Sequence, residues 1–396
     1  MLPVSAYIIA ARRSALGRIG GMHKWRRVEE LSAPVIAAAL ADCGVKLREI
    51  DELIVGNASE GGNPARLIAL TAGMAETCAA TTVDRQCGSG LEAILSAIRL
   101  ITCGDAEVVV AGGAESISNA PWRIAKPKSL YQIPHFMRLE PGTTDYSDEP
   151  QQFEASEQLS RRLGLSRGQL DAWAMKSHMK AATAREKRRF VGEIVPIRST
   201  PEEARDQSAI EPGLEDLEKL SPFLPPDGTL TPGNTSAMHD GAAFAVLVSE
   251  AHWVRLGRPT ALKLVTSAAQ GVPPDREGRA PAEAFRKMMS RINGLEIGQI
   301  GVVELSESSA AQALAFGAEL GIDPDIINPD GGAVVRGHPF GAAGAVLVTR
   351  LFTRMTRGAS HGGTDGNRPT HGVAALGTMG GMGLAALFEV TTAEAR

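Results

Sequence analysis

The sequence contains one arrangement twice, and this repetition restricts the fold more than any other feature. Each copy has a reactive residue, a glycine-rich helix start, a helix with an apolar face, a short strand and a pair of glycines, in that order. The reactive residue is Cys87 in the first copy and His338 in the second. In the first copy Cys87 is followed by Gly88 to Leu91, the helix through Ile101, the strand 107–111 and Gly112-Gly113. In the second copy His338 is followed by Gly341, the helix 346–352, the strand 373–376 and Gly380-Gly381. Duplication is the economical explanation, and it predicts that Cys87 and His338 occupy equivalent strand-to-helix turns near a pseudo-symmetry axis.

Short apolar runs alternate with longer helical patterns in both halves of the chain, which is typical of an α/β fold built from βαβ units. The region from about 116 to 240 differs, because it is polar and richer in proline. It contains one clear helix, predicted from Ser166 to about Arg188, with a capping box of Ser166 and Gln169. We expect an N-terminal half over 1–115, completed by about 241–260, a loop domain over 116–240 and a C-terminal half over 261–396.

Charge and cysteine usage narrow the class of protein. The formal net charge of -4 disfavours a nucleic-acid partner recognised through a basic surface. The four cysteines form no CxxC pair, so we expect neither a metal site nor a disulfide framework, and a reducing compartment. The apolar run at the start carries no preceding charge, which predicts a strand and not a signal peptide. No stretch reaches the roughly 18 apolar residues of a membrane span. We therefore expect a cytoplasmic protein without a membrane partner.

Two residues stand out as candidates for chemistry. Cys87 directly precedes a helix, where free backbone N–H groups and the helix dipole favour a thiolate. A small buried hydrophobic residue is the alternative interpretation of such a cysteine. His338 lies between a glycine and a proline and suits a general base or an oxyanion donor, although a turn-capping histidine is equally compatible with that setting. Their matched placement favours catalysis, because a Cys–His pair is the standard way to activate a thiol.

Motifs over essentially the whole chain resemble those of the thiolases, acyl-CoA-dependent enzymes that make or cleave a carbon–carbon bond. The most specific are Asp84 to Leu91 around Cys87 and Gly337 to Gly344 around His338. The others are Ala11-Arg12 with Gly17 and Gly20-Gly21, 63–66, 111–116 with 119–121, 233–236 with 240–243, and Asn328 with Gly331-Gly332. The resemblance implies the thiolase fold, an α/β fold of two similar βαβαβαββ halves in five layers with an inserted loop domain.

The resemblance also implies the chemistry and its residues. Coenzyme A thioesters would be the substrates, with no permanently bound cofactor, and the enzyme would be a homodimer or homotetramer. Cys87 would take the acyl group, while His338 would activate it and help to form the oxyanion hole. Ser236, Ser308 and Gly380 would be substrate-binding positions, with Ser236 along the pantetheine.

Two positions depart from the family pattern. Thiolases usually carry a second cysteine near the C-terminus that moves the α-proton of the second acyl group, and Gly377 stands in its place. The adjacent Thr378 is a poor base, because its hydroxyl pKa lies far above that of a thiol. Ser306 stands in place of an asparagine that helps to form an oxyanion hole for the enolate. In one branch the acid/base cysteine lies at the position of Ser308, which is again a hydroxyl.

These residues predict an acyl-CoA acyltransferase that forms an acyl-enzyme on Cys87. The acid/base cysteine is missing, so 3-ketoacyl-CoA thiolysis or Claisen condensation is expected to be impaired or altered. One alternative is a non-catalytic or partner subunit that binds acyl-CoA. Another is decarboxylative condensation of the ketosynthase type, or acyl transfer to an acceptor other than CoA.

Overall fold

The computed structural model describes residues 5–134, 136, 153–198, 200–208, 214–357 and 369–392. Its strands are β1 (Ala6–Ser14), β2 (Gly17–Arg18), β3 (Glu52–Gly56), β4 (Ala79–Val83), β5 (Val108–Glu115), β6 (Ile194–Val195), β7 (His239–Ser249), β8 (Ala261–Gly271), β9 (Val302–Ser306), β10 (His371–Thr378) and β11 (Met382–Thr391). Its α-helices are α1 (Val28–Cys43), α2 (Pro64–Thr71), α3 (Ser89–Cys103), α4 (Glu154–Arg162), α5 (Arg167–Glu186), α6 (Leu214–Glu218), α7 (Glu250–Arg255), α8 (Ala280–Met289), α9 (Ala310–Leu320), α10 (Ala333–Arg336) and α11 (Ala343–Thr356).

The strands form one mixed sheet in which two halves repeat the same pattern. Across the described ranges the order is β4-β3-β5-β7-β1-β8-β11-β10-β9, with β2 beside β7 and β6 beside β1. In the first half β3 and β5 are parallel, and β7 is antiparallel to both β5 and β1. In the second half β9 and β10 are parallel, and β11 is antiparallel to both β10 and β8. The halves join where β1 pairs with β8, with Tyr7 opposite Lys263. The duplication predicted from the sequence is therefore present in the topology.

Helices α3 and α11, one from each half, pack against each other at the centre of the molecule. Their apolar side chains belong to one buried core with the facing strands. A β-carbon on Gly90 would lie 2.7 Å from the carbonyl oxygen of Gly341, and one on Gly344 would lie 2.5 Å from the backbone nitrogen of Leu91. Only glycine permits backbones to approach this closely. These glycines bring together the starts of the two helices, which follow Cys87 and His338.

The helix predicted in the polar middle region is confirmed as α5. The Ser166 side chain accepts a hydrogen bond from the backbone N–H of Gln169, and the Gln169 side chain accepts one from the Ser166 N–H. Leu170 and Trp173 of α5 are buried in the core of the C-terminal half. This region therefore packs directly on the second half, and its boundaries as a separate domain remain a prediction.

The first apolar run forms β1, which lies at the centre of the sheet between β7 and β8. No helix within the described ranges combines the length and the hydropathy that a membrane crossing needs.

Candidate active site

Cys87 lies in the tight turn that leads from β4 into α3. Gln86 adopts a positive φ of 53°, and Ser89 closes the turn by accepting a hydrogen bond from the Arg85 N–H at 2.7 Å and donating one to the Gln86 carbonyl at 2.6 Å. Cys87 is 7% exposed. It directly precedes the first turn of a 15-residue helix, where the backbone N–H groups and the helix dipole stabilise a negative charge on sulfur.

His338 is held by its backbone on both sides. Its N–H donates to the Ala237 carbonyl at 2.8 Å, and its carbonyl accepts from the His239 N–H at 3.0 Å. The preceding Gly337 has a φ of +89°, and a β-carbon there would overlap the ring of His239. The glycine that precedes the histidine in the sequence is therefore required both by backbone conformation and by space.

The His338 ring faces Ser306, with 3.1 Å between Nδ1 and the serine Oγ. If Nδ1–H donates to this hydroxyl, Nε2 keeps a lone pair that can accept a proton. Burial, together with a smaller effect of the nearby His239, lowers the pKa of His338 to about 4. The ring is therefore neutral near pH 7, which is the form a general base requires.

His239 was not singled out from the sequence. Its Nδ1 lies 2.9 Å from the Ala237 carbonyl and its Nε2 lies 2.8 Å from the Gln207 carbonyl. Each ring nitrogen of His239 therefore faces a backbone carbonyl oxygen. The only sequence signal was its position directly before the motif residues 240–243.

The Cys87 turn and the His338 turn, which come from different halves, meet at one small apolar cluster. Cys87, Ala58 and Phe340 form its buried part, and Met238 and Met379 pack against them. The His338 ring packs edge-on against Phe340, with 5.9 Å between centroids, and its backbone bridges to Met238. The structure thus brings both predicted residues to the same cluster.

Ser236 and Ser308 lie side by side on two antiparallel segments. The Ser236 N–H donates to the Ser308 carbonyl at 3.1 Å, and the Ser236 hydroxyl lies 3.3 Å from the same oxygen. Ser308 is exposed and Ser236 is half-buried. The Ser308 N–H donates to the Gln312 side chain at 3.0 Å, which fixes the start of α9 beside them.

The end of β10 presents Thr378, and not position 377, to the Cys87 turn. A β-carbon on Gly377 would lie 3.3 Å from Gln312 Nε2 and 3.3 Å from Pro281 Cδ. The Thr378 methyl carbon lies 3.2 Å from where a β-carbon on Gly88 would be. This follows from strand geometry, because consecutive side chains point to opposite faces. Gly380 lies in the turn between β10 and β11, with a φ of +77°.

Glu115 connects the two halves beneath the site through hydrogen bonds to both. It was not identified from the sequence as a functional residue. It is fully buried at the end of β5, and its carboxylate accepts from Asn57 Nδ2 at 3.0 Å and from the Gly341 N–H at 2.9 Å. It also accepts from the Ala58 N–H and from both the N–H and the hydroxyl of Ser59. Burial raises the pKa of Glu115 to about 7. The only indication of Glu115 in the sequence was its position within the thiolase-like motif 111–116.

Glu307 has a similar anchoring position in the second half. Its buried carboxylate accepts from Asn328 Nδ2 at 2.7 Å and from Trp173 Nε1 at 3.3 Å. A β-carbon on Gly332 would overlap this carboxylate, which explains that glycine of the motif. Burial raises the pKa of Glu307.

The other three cysteines lie elsewhere: Cys78 is buried, Cys43 is half-buried and Cys103 is exposed, and all are free thiols. The described residues contain no group of three or more His, Cys, Asp or Glu side chains that could hold a metal ion. Residues 135 and 137–152 of the predicted loop domain lie outside the described residues.

Comparisons with known proteins give one consistent result. Family models described as "Thiolase, N-terminal domain" and "Thiolase, C-terminal domain" match residues 6–251 and 258–390. The chain is 38% identical over 396 residues to the acetyl-CoA acetyltransferase of Shinella zoogloeoides, covering 96% of this chain and 98% of that one. It is 37% identical over 399 residues to the acetyl-CoA acetyltransferase of Rhizobium meliloti, covering 97% and 98%.

Solved structures agree. The acetyl-CoA acetyltransferase of Bacillus anthracis superposes with a TM-score of 0.89 at 32% identity, covering 98% of this chain and 100% of that one. The human mitochondrial 3-ketoacyl-CoA thiolase in complex with CoA superposes with a TM-score of 0.88 at 27% identity, covering 99% of each chain.

Proposed function

This chain belongs to the thiolase family, and from that premise we propose that it transfers acyl groups through a covalent intermediate on Cys87. The resemblance found in its motifs and the thiolase fold expected from them are confirmed. The chain is an acyl-CoA acyltransferase, and CoA thioesters are its substrates. The observation that carries the finer proposal is the meeting of the Cys87 and His338 turns at one apolar cluster, with the neutral His338 ring hydrogen-bonded to Ser306.

The acylation step uses the groups at this cluster. His338 Nε2 takes the proton of the Cys87 thiol, and the thiolate attacks the carbonyl carbon of the thioester. The developing oxyanion is stabilised by the positive end of the α3 dipole and by His338. The carbon–sulfur bond to CoA then breaks, and the leaving CoA thiolate takes the proton from His338. Ser236 and Ser308 would lie along the pantetheine arm, and the Gly380 turn would close the other side.

The second half-reaction is expected to differ from ordinary thiolase chemistry. Gly377 carries no acid/base group, and the side chain beside the Cys87 turn is the Thr378 hydroxyl, which donates to the Met379 carbonyl at 3.1 Å. General acid–base catalysis contributes about 10² to 10⁴-fold, so removal of an α-proton is slowed by an amount of that order. We propose that thiolysis and condensation are slow, or that the acyl group passes to an acceptor whose carbanion arises by loss of CO₂ or to an acceptor other than CoA.

Intact-mass analysis after incubation with acetyl-CoA tests the acyl-enzyme. We expect the mass of one acetyl group on the wild-type protein and on the Cys103→Ala control, and none on Cys87→Ala. An adduct that persists in Cys87→Ala would refute the assignment. Absence of both adduct and CoA release in the wild-type protein would instead favour the non-catalytic, acyl-CoA-binding subunit. Release of CO₂ from labelled malonyl-CoA would identify the decarboxylative alternative.

We also propose a homodimer or homotetramer. Among the described strands β4 ends the sheet, so one side of its backbone is free to pair with a second copy. Light scattering after size-exclusion chromatography tests this, and a monomer at micromolar concentration would contradict it. A cytoplasmic location remains our expectation, since the mechanism needs Cys87 as a free thiol.

A further inference from the structure

A cavity of about 500 Å³ lies behind the His338 turn, away from the Cys87 cluster. It is enclosed by the C-terminal part of α5, by the segments 188–196 and 204–208, and by the end of α10. The lining residues that matter for binding are Arg185, Arg188, Arg205, Asp206, Val335 and Arg336. Neither Cys87, His338, Ser236 nor Ser308 is among them. A volume of this size is typical of a small-molecule site.

The rim of the cavity carries an excess of positive charge. Arg185, Arg188 and Arg205 are exposed, and none of them forms a side-chain hydrogen bond or an ion pair with any residue in the described ranges. The one carboxylate in the lining, Asp206, is already occupied, because it accepts from Arg13 at 2.6 Å and from the Leu16 N–H at 2.8 Å. The guanidinium charges at the rim are therefore not neutralised by the protein that surrounds them.

A buried guanidinium lies beneath the floor of the cavity. Arg336 is 4% exposed, and its Nη2 donates to Glu304 at 3.2 Å. Its Nη1 is buried and has no hydrogen-bond partner among the described residues. Its guanidinium group therefore lies just below the cavity surface and adds positive charge to the floor.

The rest of the lining is apolar. Ala181, Val191, Ile194 and Val335 provide surface for an uncharged body next to the guanidinium groups. Several cations without a free carboxylate suit a dianion better than a single carboxylate, and guanidinium groups bind phosphate oxygens in forked geometry. We propose that this cavity binds a phosphorylated organic molecule, with its phosphate on the rim arginines and its body on the apolar wall.

The shared chemistry is a phosphate ester on an apolar or aromatic body, and two sources supply it. One is a free nucleotide or a similar phosphorylated metabolite, and the other is the adenosine 3′,5′-bisphosphate end of a coenzyme A molecule. The proposal does not depend on the acyl-enzyme, because it concerns binding at residues that take no part in acyl transfer.

Isothermal titration calorimetry of the full chain with AMP, adenosine 3′,5′-bisphosphate and inorganic phosphate tests the proposal. We expect saturable binding of an adenosine phosphate that Arg185→Glu and Arg205→Glu each weaken about tenfold or more, since each loses a charge-assisted contact and adds repulsion. The control Arg48→Glu, which reverses an exposed charge on a distant turn, should change the affinity less than about twofold.

Binding of both adenosine compounds identifies a general phosphate-ester site, and binding of the bisphosphate alone identifies the nucleotide end of CoA as the source. Absence of saturable binding by either compound, binding of inorganic phosphate alone, or equal affinities in all the variants would overturn the proposal. Because no turnover is measured, failure of the Cys87 acylation experiment would leave these results unaffected.

Discussion

Ser306 Oγ lies 3.1 Å from His338 Nδ1, so the serine that departs from the family pattern contacts the ring of the proposed base. Ser306→Ala removes the partner of a ring nitrogen and lets the ring turn. We expect the rate of Cys87 acylation to fall by about tenfold, which corresponds to the loss of one hydrogen bond. Rapid-quench measurement of CoA release gives this rate. Ser290→Ala, an exposed serine at the end of α8, should react at the wild-type rate, and an unchanged rate in Ser306→Ala would contradict a positioning role.

His239→Asn should change the pH dependence of acylation. The positive charge on His239 helps to hold the pKa of His338 at about 4, below its ordinary value of 6.5. Without that charge the pKa of His338 rises, so the acidic limb of the rate profile moves to higher pH. Acylation rates measured from about pH 3.5 to 8 locate this limb in the wild type and in the variant. A variant that is slower at every pH by the same factor would show that His239 only supports the backbone. His252→Asn, in α7, serves as the control.

A cysteine at position 378 should restore more thiolase activity than one at position 377. The Thr378 side chain faces the Cys87 turn, whereas a side chain at 377 would point to Gln312 and Pro281. We expect Thr378→Cys to raise acetoacetyl-CoA thiolysis by up to about 10²-fold, and Gly377→Cys to raise it far less. Steady-state thiolysis assays compare the two variants. A larger gain in Gly377→Cys would mean that the end of β10 turns its 377 side toward the substrate.

Gly344→Ala should destabilise the protein strongly. Its β-carbon would lie 2.5 Å from the Leu91 backbone nitrogen, so α3 and α11 would have to separate. We expect a loss of about 1–3 kcal/mol or more in the free energy of unfolding. Gly168→Ala is the matched control, because open space surrounds Gly168 in α5, and it should stabilise by about 0.5–1 kcal/mol. Denaturant unfolding of both variants measures the two effects, and similar midpoints would contradict the close approach of the helices.

Glu115→Gln should remove a pH-dependent part of the stability. The pKa of Glu115 is raised to about 7 in the folded protein from an ordinary 4.5, so the proton is held more tightly in the folded state. The resulting stabilisation is complete below about pH 4.5 and is lost as the pH rises to about 7, and it amounts to about 3 kcal/mol. The stability of the wild type relative to Glu115→Gln should therefore fall by about 3 kcal/mol as the pH rises over this interval. Urea unfolding at several pH values measures it, and a difference that does not vary with pH would refute the raised pKa.

The sequence predicted those parts of the fold that depend on residues close together in the chain. The α5 start followed from the Ser166 capping box, and the start of α3 after Cys87 followed from its glycines and apolar spacing. The meeting of Cys87 and His338 was predicted from the duplication, because equivalent turns of two related halves lie near one axis.

The rest depends on contacts between distant parts of the chain. Glu115 receives its donors from Asn57 and from Gly341, which is 226 residues away, and no local pattern encodes this. The opposite directions of positions 377 and 378 depend on where β10 ends and on its register with β11. The role of His239 depends on the fold, which places its backbone N–H beside the carbonyl oxygen of His338.

The central position of β1 has a consequence for the order in which the chain is made. β1 leaves the ribosome before the other described strands, but both of its long neighbours, β7 and β8, lie after residue 238. Until β7 has emerged, the two edges of β1 have only the short β6 available, and the edge that pairs with β8 stays open until about residue 270. A nascent chain of this length with an unpaired apolar strand is exposed to aggregation. Chaperone dependence during synthesis should therefore end abruptly, once β8 has been translated.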